Sequence, residues 1–259
     1  MSASDENQRI AADSIVRQWQ SDGRLDVVAV PVRGMEIDDQ SGWYELQAKV
    51  DNCLSCEDVL GRGEDLGIRH QMERAIIRQG LEWARANPKV RRLSLRVSQF
   101  SLLVPGVVDR LFHDIANSGI EPSRLCIDII SMDNIQYFSH LIEVAGRFRE
   151  FGASVVLDRL DDEDTRRLFP SGLRFDYFRI RQRYTRGIPD NTTSMLAIQA
   201  LEERLTGSRV RLLAESVSSD AQREALADSG VAFFIKAVDE QAVDISDSAE
   251  GAQPGARQA

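Results

Sequence analysis

The chain has 259 residues, 42% of them apolar and 28% charged, with a formal net charge of −9. That composition is that of a folded globular chain and excludes a disordered or fibrous one. The negative balance offers no general attraction for a phosphate backbone or an anionic bilayer, so neither nucleic acid nor membrane is expected as a partner.

Residues 1–8 are polar and expected to be loose. Strands are expected at 26–32 and 43–50, and Ile37-Asp38-Asp39-Gln40-Ser41-Gly42 between them reads as a hairpin-like turn, which makes this first pair antiparallel. A helix follows over 66–86, with Ile68, Met72, Ile76 and Leu81 on one face and the arginines and glutamates elsewhere. Strand 92–97, helix 107–117, strand 125–130, helix 134–151 and strand 154–160 come next, then strand 175–181, helix 192–205, strand 210–215, helix 221–228 and strand 232–236. Most of the strands are dense apolar runs, the mark of a parallel sheet buried on both faces. Gly119, Gly152, Gly207 and Gly230 each follow a helix, where a left-handed residue stops it. Residues 246–259 (SDSAEGAQPGARQA) are small and polar, and are expected to be disordered. Eight strands separated mostly by helices give an α/β chain whose best match is a modified TIM-like (β/α)8 barrel over 9–245, one domain, with an antiparallel first pair.

No run of about 18 apolar residues is available to span a bilayer, and the start MSASDENQR does not read as a secretory signal. Cys53, Cys56 and Cys126 cannot build a disulfide framework, so a cytoplasmic setting is expected. Cys53 and Cys56 form a C-x-x-C without a second pair of soft ligands and read as incidental thiols; His70, His113 and His140 are scattered.

In such a barrel the site lies at the C-terminal ends of the strands. The polar residues there are Glu45, Arg96, Asp128, Asp158, Arg159, Arg179, Arg181 and Glu215. Several carboxylates facing one mouth would make a divalent-cation site. Arginines in nearly equal number favour an internal salt-bridge network instead.

The order of motifs resembles the EAL family, phosphodiesterases of the bacterial messenger cyclic di-GMP. Val30-Pro31-Val32 is similar to the family's opening strand, and Glu45-Leu46-Gln47-Ala48-Lys49 stands where the family reads Glu-Ala-Leu-x-Arg. Glu64-Asp65-Leu66-Gly67-Ile68 and Ile120-Glu121-Pro122-Ser123-Arg124-Leu125 match two further family segments. Leu95-Arg96-Val97-Ser98 places Arg96 at a metal-binding asparagine, and Asp128-Ile129-Ile130-Ser131 matches Glu-Ile/Leu-Thr-Glu with its second acid lost. Asp158-Arg159 keeps only the first aspartate of Asp-Asp-Phe-Gly-Thr-Gly. Phe178-Arg179-Ile180-Arg181 replaces Leu-Lys-Ile-Asp, so Arg179 takes the place of the catalytic lysine. Leu213-Ala214-Glu215 keeps the first glutamate of Ala-Glu-Gly-Val-Glu, and Ile235 stands at a water-positioning glutamine.

The resemblance implies a two-metal mechanism, in which divalent ions clamp an attacking water. Arg96 and Arg159 at ligand positions oppose this, because a guanidinium about 4 Å from a doubly charged ion is repelled by several kcal/mol. Glu45, Asp128, Asp158 and Glu215 are therefore expected to pair with arginines, with no metal, no cofactor and no catalytic residue. Leu46, Lys49, Arg179 and Arg181 are the candidate ligand contacts, but Lys49 and the altered Leu46-Gln47 argue against cyclic di-GMP binding. The expectation is a catalytically inactive regulator acting through a protein partner or a homodimer, with a non-hydrolysing cyclic di-GMP receptor as the alternative and an active phosphodiesterase behind both. For the homodimer, helix 134–151 carries more apolar residues (Ile135, Tyr137, Phe138, Leu141, Ile142) than one core-facing stripe requires.

Overall fold

A computed structural model of the chain describes residues 13, 16–17, 19–21, 25–35, 41–49, 67–130, 138–160, 175–180, 182–237 and 239–246, without the side chains of 138, 159 and 160. Eight strands close into a ring: β1 (Val27–Gly34), β2 (Trp43–Ala48), β3 (Arg92–Ser98), β4 (Leu125–Ile130), β5 (Ser154–Leu160), β6 (Tyr177–Ile180), β7 (Arg211–Val217) and β8 (Val231–Lys236). Strands β2 to β8 pair in parallel, in chain order. β1 is antiparallel to both of its neighbours, with Val30 opposite Glu45 and Arg33 opposite Phe234. The barrel with an antiparallel first pair is the architecture expected from the sequence.

The helices are α1 (Arg69–Ala86), α2 (Gln99–Leu103), α3 (Val107–Ser118), α4 (Phe138–Phe151), α5 (Gln182–Thr185), α6 (Thr192–Leu205) and α7 (Asp220–Asp228). Gly119, Gly152, Gly207 and Gly230 all have positive φ, so the expected helix stops are in place. The apolar patterning of the chain carries no sign of α2, whose N-terminus is capped by the Ser98 side chain accepting from the Ser101 N–H. It also missed α5 and the two-residue β9 (Val243–Asp244), which pairs with β1. β2 ends at Ala48 rather than at residue 50, and β6 covers only four residues. No described helix is long and apolar enough to cross a membrane.

Alternation along the strands separates two cores. Outward-facing Leu46, Leu95, Ile127, Val155, Phe178 and Leu212 pack under the helices in the larger cluster. Inward-facing Val30, Val32, Trp43, Cys126, Val156, Tyr177, Leu213 and Ile235 form a smaller one inside the barrel. Trp43, Tyr177 and Phe233 cluster there with ring centroids 5.1–5.6 Å apart, Phe233 edge-on to both others and Trp43 tilted by 54° to Tyr177. The Trp43 indole N–H donates to Ser94 Oγ at 2.7 Å. Of the apolar residues singled out in 134–151, Leu141 is core and Ile142 half-buried, while Ile135, Tyr137 and the Phe138 side chain lie outside the described residues.

One contact fixes how closely α1 lies on the sheet. A Cβ built on Gly80 would stand 2.1 Å from Leu46 Cδ1, and Leu46 is fully buried. Gly80→Ala should therefore lower stability by about 1–3 kcal/mol through overpacking, against the ~1 kcal/mol that helix propensity alone would add. Chemical denaturation checks this, and Leu46→Ala should relieve much of the loss in the double variant.

Candidate functional site: a charged layer at the barrel mouth

Two residues beyond inward-facing Trp43, Ser94, Cys126, Val156, Tyr177 and Leu213 stand Glu45, Arg96, Asp128, Asp158, Arg179 and Glu215. A period of two keeps these on the same inner face, so an apolar layer is followed by a charged layer toward the C-terminal ends of the strands. Glu45, Arg96, Asp128, Asp158 and Arg179 are all buried, and the Glu215 side chain is about a quarter exposed at 24%.

Arg179 is the centre of this layer. Its Nη2 donates to both Glu45 Oε2 and Asp128 Oδ2. Its Nη1 lies 3.4 Å from Glu215 Oε2, and its Nε lies 3.8 Å from Asp158 Oδ2. Arg96 closes the other side, with Nη2 2.6 Å from Asp158 Oδ2 and Nη1 3.5 Å from Glu45 Oε1. The two guanidiniums thus tie β2, β4, β5 and β7 to β3 and β6.

Three fully buried carboxylates face two arginines, and Glu215 adds a fourth acid at the rim, so the layer holds more acids than bases. Burial pushes Asp128 up to about 7, since Arg179 and Arg96 offset the lost hydration only in part. Asp158 rises to about 6 for the same reasons. Burial pushes Glu45 upward too, but there Arg179 and Arg96 outweigh it, with further hydrogen bonds from Arg179 and Gln47, and hold the carboxyl at about 2. The upward shift at Asp128 and Asp158 runs in the direction that eases this imbalance, because a protonated carboxyl needs no countercharge.

The expected contact of Arg96 with the carboxylates is present, but the larger share falls to Arg179. The Arg159 side chain and Arg181 lie outside the described residues, as do Cys53 and Cys56. Leu46 is on the outer face against Gly80 and does not reach the mouth. Lys49 ends at Asp244 of β9, 2.5 Å away, with both side chains about half-exposed. Ile235 belongs to the inner apolar cluster.

Two features escaped the sequence reading. Gln47, on the inner face of β2, donates to Glu45 Oε1 at 3.0 Å, which the i, i+2 spacing could have revealed. Arg69 and Glu73 of α1 are buried rather than solvated, and Glu73 Oε1 accepts from the Ser98 N–H at 3.0 Å.

Carboxylates of this kind would suit hard divalent ions. The space between them, however, is crossed by guanidinium groups hydrogen-bonded to the same oxygens. Among the described residues no group of three His, Cys, Asp or Glu side chains could hold a metal ion. The charged layer does not fit a metal pair.

Two outcomes follow for stability. Arg179→Met leaves Glu45 and Asp128 without their main partner and should cost about 3–5 kcal/mol, whereas Asp128→Asn, which keeps an acceptor, should cost far less. Asp128 and Asp158 bind protons more tightly folded than unfolded, so their contribution is complete below about pH 4 and lost as pH rises through 6 to 7. Glu45 works oppositely, its contribution falling away only as pH drops from about 4.5 through 2. Thermal melts should therefore show Tm falling between pH 5 and pH 8, with a flatter profile in Asp128→Asn. The residual slope belongs to Asp158 and to Glu73, which burial pushes up to about 7.

The chain matches the EAL domain family over residues 44–235, which takes in β2 through most of β8. An uncharacterized protein of Mycobacterium tuberculosis strain H37Rv is 21% identical over 170 residues, covering 64% of this chain and 27% of that protein, so the chain spans about a quarter of the relative. The EAL domain of Xanthomonas citri FimX in complex with c-diGMP superposes with a TM-score of 0.72 at 15% identity, covering 93% of this chain and 97% of that one. The FimX EAL domain from Pseudomonas aeruginosa bound to c-di-GMP gives 0.74 at 14% identity, with 89% and 96% covered. The PaMucR phosphodiesterase in its c-di-GMP complex gives 0.76 at 13%, with 90% and 97% covered. At these identities the structural likeness is one of fold, and together with the match over most of the barrel it means that the chain belongs to the EAL domain family.

Proposed function

We propose that the chain is a non-hydrolysing EAL-fold regulator of bacterial signalling, acting in the cytoplasm by binding protein. The observation that supports this is Arg179, at the position matching the family's lysine, bonded to Glu45 and Asp128. A guanidinium stays charged at every working pH, so Arg179 cannot act as a general base. It also neutralises the carboxylates that would have to carry divalent ions for two-metal attack on phosphorus. What remains is a folded barrel whose outer surface is available for association.

A second reading is a cyclic di-GMP receptor that does not cleave its ligand. It draws on the c-di-GMP complexes named for the FimX and PaMucR structures. Calorimetric titration with cyclic di-GMP, with and without magnesium, separates the two readings by whether heat is released.

Incubation with cyclic di-GMP and either magnesium or manganese should yield no linear dinucleotide above a protein-free control. The same ions should leave Tm unchanged, because binding to the native state alone would raise it. Metal-dependent turnover that disappears in Glu45→Ala would overturn the proposal.

A further inference from the structure

The inner face of the barrel carries a third layer, on the side of the rings away from the mouth. Two residues before Ser94, Val156 and Leu213 stand Arg92 of β3, Ser154 of β5 and Arg211 of β7. The period of two keeps them on the inner face, at the N-terminal end of the barrel. Arg211 is exposed, and Arg92, Ser154 and Phe233 are half-buried, so solvent reaches this floor.

Arg92 lies over the Trp43 and Tyr177 rings, its guanidinium carbon 5.2 and 5.8 Å from their centroids. Arg211 lies over Tyr177 and Phe233 at 5.8 and 5.2 Å. The two guanidiniums share the Tyr177 ring and stand no further apart than twice 5.8 Å. Stacking holds both groups in place and offsets part of their charge, but it leaves the N–H donors at the edge of each plane free to bond. Arg92 donates once, to the Tyr177 hydroxyl. Among the described residues, Arg211 and the Ser154 hydroxyl make no side-chain hydrogen bond, and neither arginine has a carboxylate within ion-pair distance.

The acids described at this end are engaged or distant. Asp176, next to Tyr177, is held by the Val155 N–H at 2.8 Å and by Arg149 Nε at 3.4 Å. Asp239 holds Arg33. Glu121 is exposed ahead of β4, against the exposed cations Lys89, Arg91 and Arg209. The turn 36–40, with Glu36, Asp38 and Asp39, lies outside the described residues. Four residues further along β3 and β7, about 13 Å away, the mouth holds more acids than bases, so one end of the barrel repels an anion and the other attracts it. The net charge of −9 opposes any anion. Charges beyond about 10 Å are screened at ordinary salt, however, whereas the floor arginines would touch their ligand.

We propose that the barrel floor binds a phosphate dianion, free or as a small phosphomonoester, between Arg92 and Arg211, with Ser154 Oγ as a further donor. A phosphomonoester carries close to two negative charges at neutral pH and three terminal oxygens, enough for two guanidinium forks and one hydroxyl. A monocarboxylate offers half the charge and one oxygen fewer. This site goes beyond the reading of the mouth and holds whether or not the mouth is inactive.

The full chain is titrated calorimetrically near neutral pH with inorganic phosphate, with ribose 5-phosphate and with acetate, at constant ionic strength. Both phosphates should bind at least about tenfold more tightly than acetate, and their ratio tells which source fits better. Arg92→Gln and Arg211→Gln should each weaken phosphate binding at least about tenfold, with Tm in the absence of ligand confirming the fold. Arg211 is exposed, so Arg211→Gln keeps the test open should Arg92→Gln fail to fold. Arg91→Gln removes an equal charge one residue away on the other side of the strand, and should change affinity less than about twofold. No phosphate binding, acetate bound as tightly, affinity unaltered in Arg211→Gln, or an equal loss in Arg91→Gln would each overturn the proposal.

Discussion

The mouth of this barrel is governed by one requirement: three carboxylates carried by β2, β4 and β5 are out of water and must be answered by positive charge. Glu45, Asp128 and Asp158 would repel one another and lose hydration without it. Arg179 answers most of that requirement from the opposite wall, and Arg96 answers the rest. Against an apolar filling of equal volume, such a network adds little net stability, yet removing one partner is severe. Its effect is to fix which strands stand opposite one another.

The layer below makes this arrangement possible. Trp43, Tyr177 and Phe233 fill the barrel toward the other end, flanked by Arg92 and Arg211 at 5.2 Å from the Trp43 and Phe233 rings. With that end filled by rings, the charged side chains two residues further along have no room to sink and no bulk water beneath them. On the outside, Gly80 lets α1 settle onto Leu46 and holds β2 against its helix. The position of Glu45 is thus set from both faces of one strand.

Much of the fold was legible because its signals are local. Dense apolar runs marked the strands, and the glycines at 119, 152, 207 and 230 marked helix ends by a backbone conformation other residues rarely adopt. The charged layer was legible as a set, since strand-end residues of one barrel share a mouth. Which arginine sits at its centre was not, because that depends on the stagger between strands: β3 pairs Arg96 with Asp128 on the neighbouring strand, while Arg179 reaches Glu45 and Asp128 across the barrel. Leu46 and Lys49 were drawn into the candidate site by their place in a motif, although alternation along β2 turns Leu46 outward. Glu73 was taken for a solvated face residue because helical periodicity does not register one buried carboxylate on an otherwise apolar stripe.

The central claim is that guanidinium groups occupy the ground where a metal-dependent relative would keep its ions. Anomalous diffraction from crystals grown with manganese tests it most directly. The account predicts no anomalous peak among Glu45, Asp128, Asp158 and Glu215, with Arg179 still bonded to Glu45 and Asp128. One or two strong peaks within coordination distance of those carboxylates, with Arg179 displaced, would contradict it.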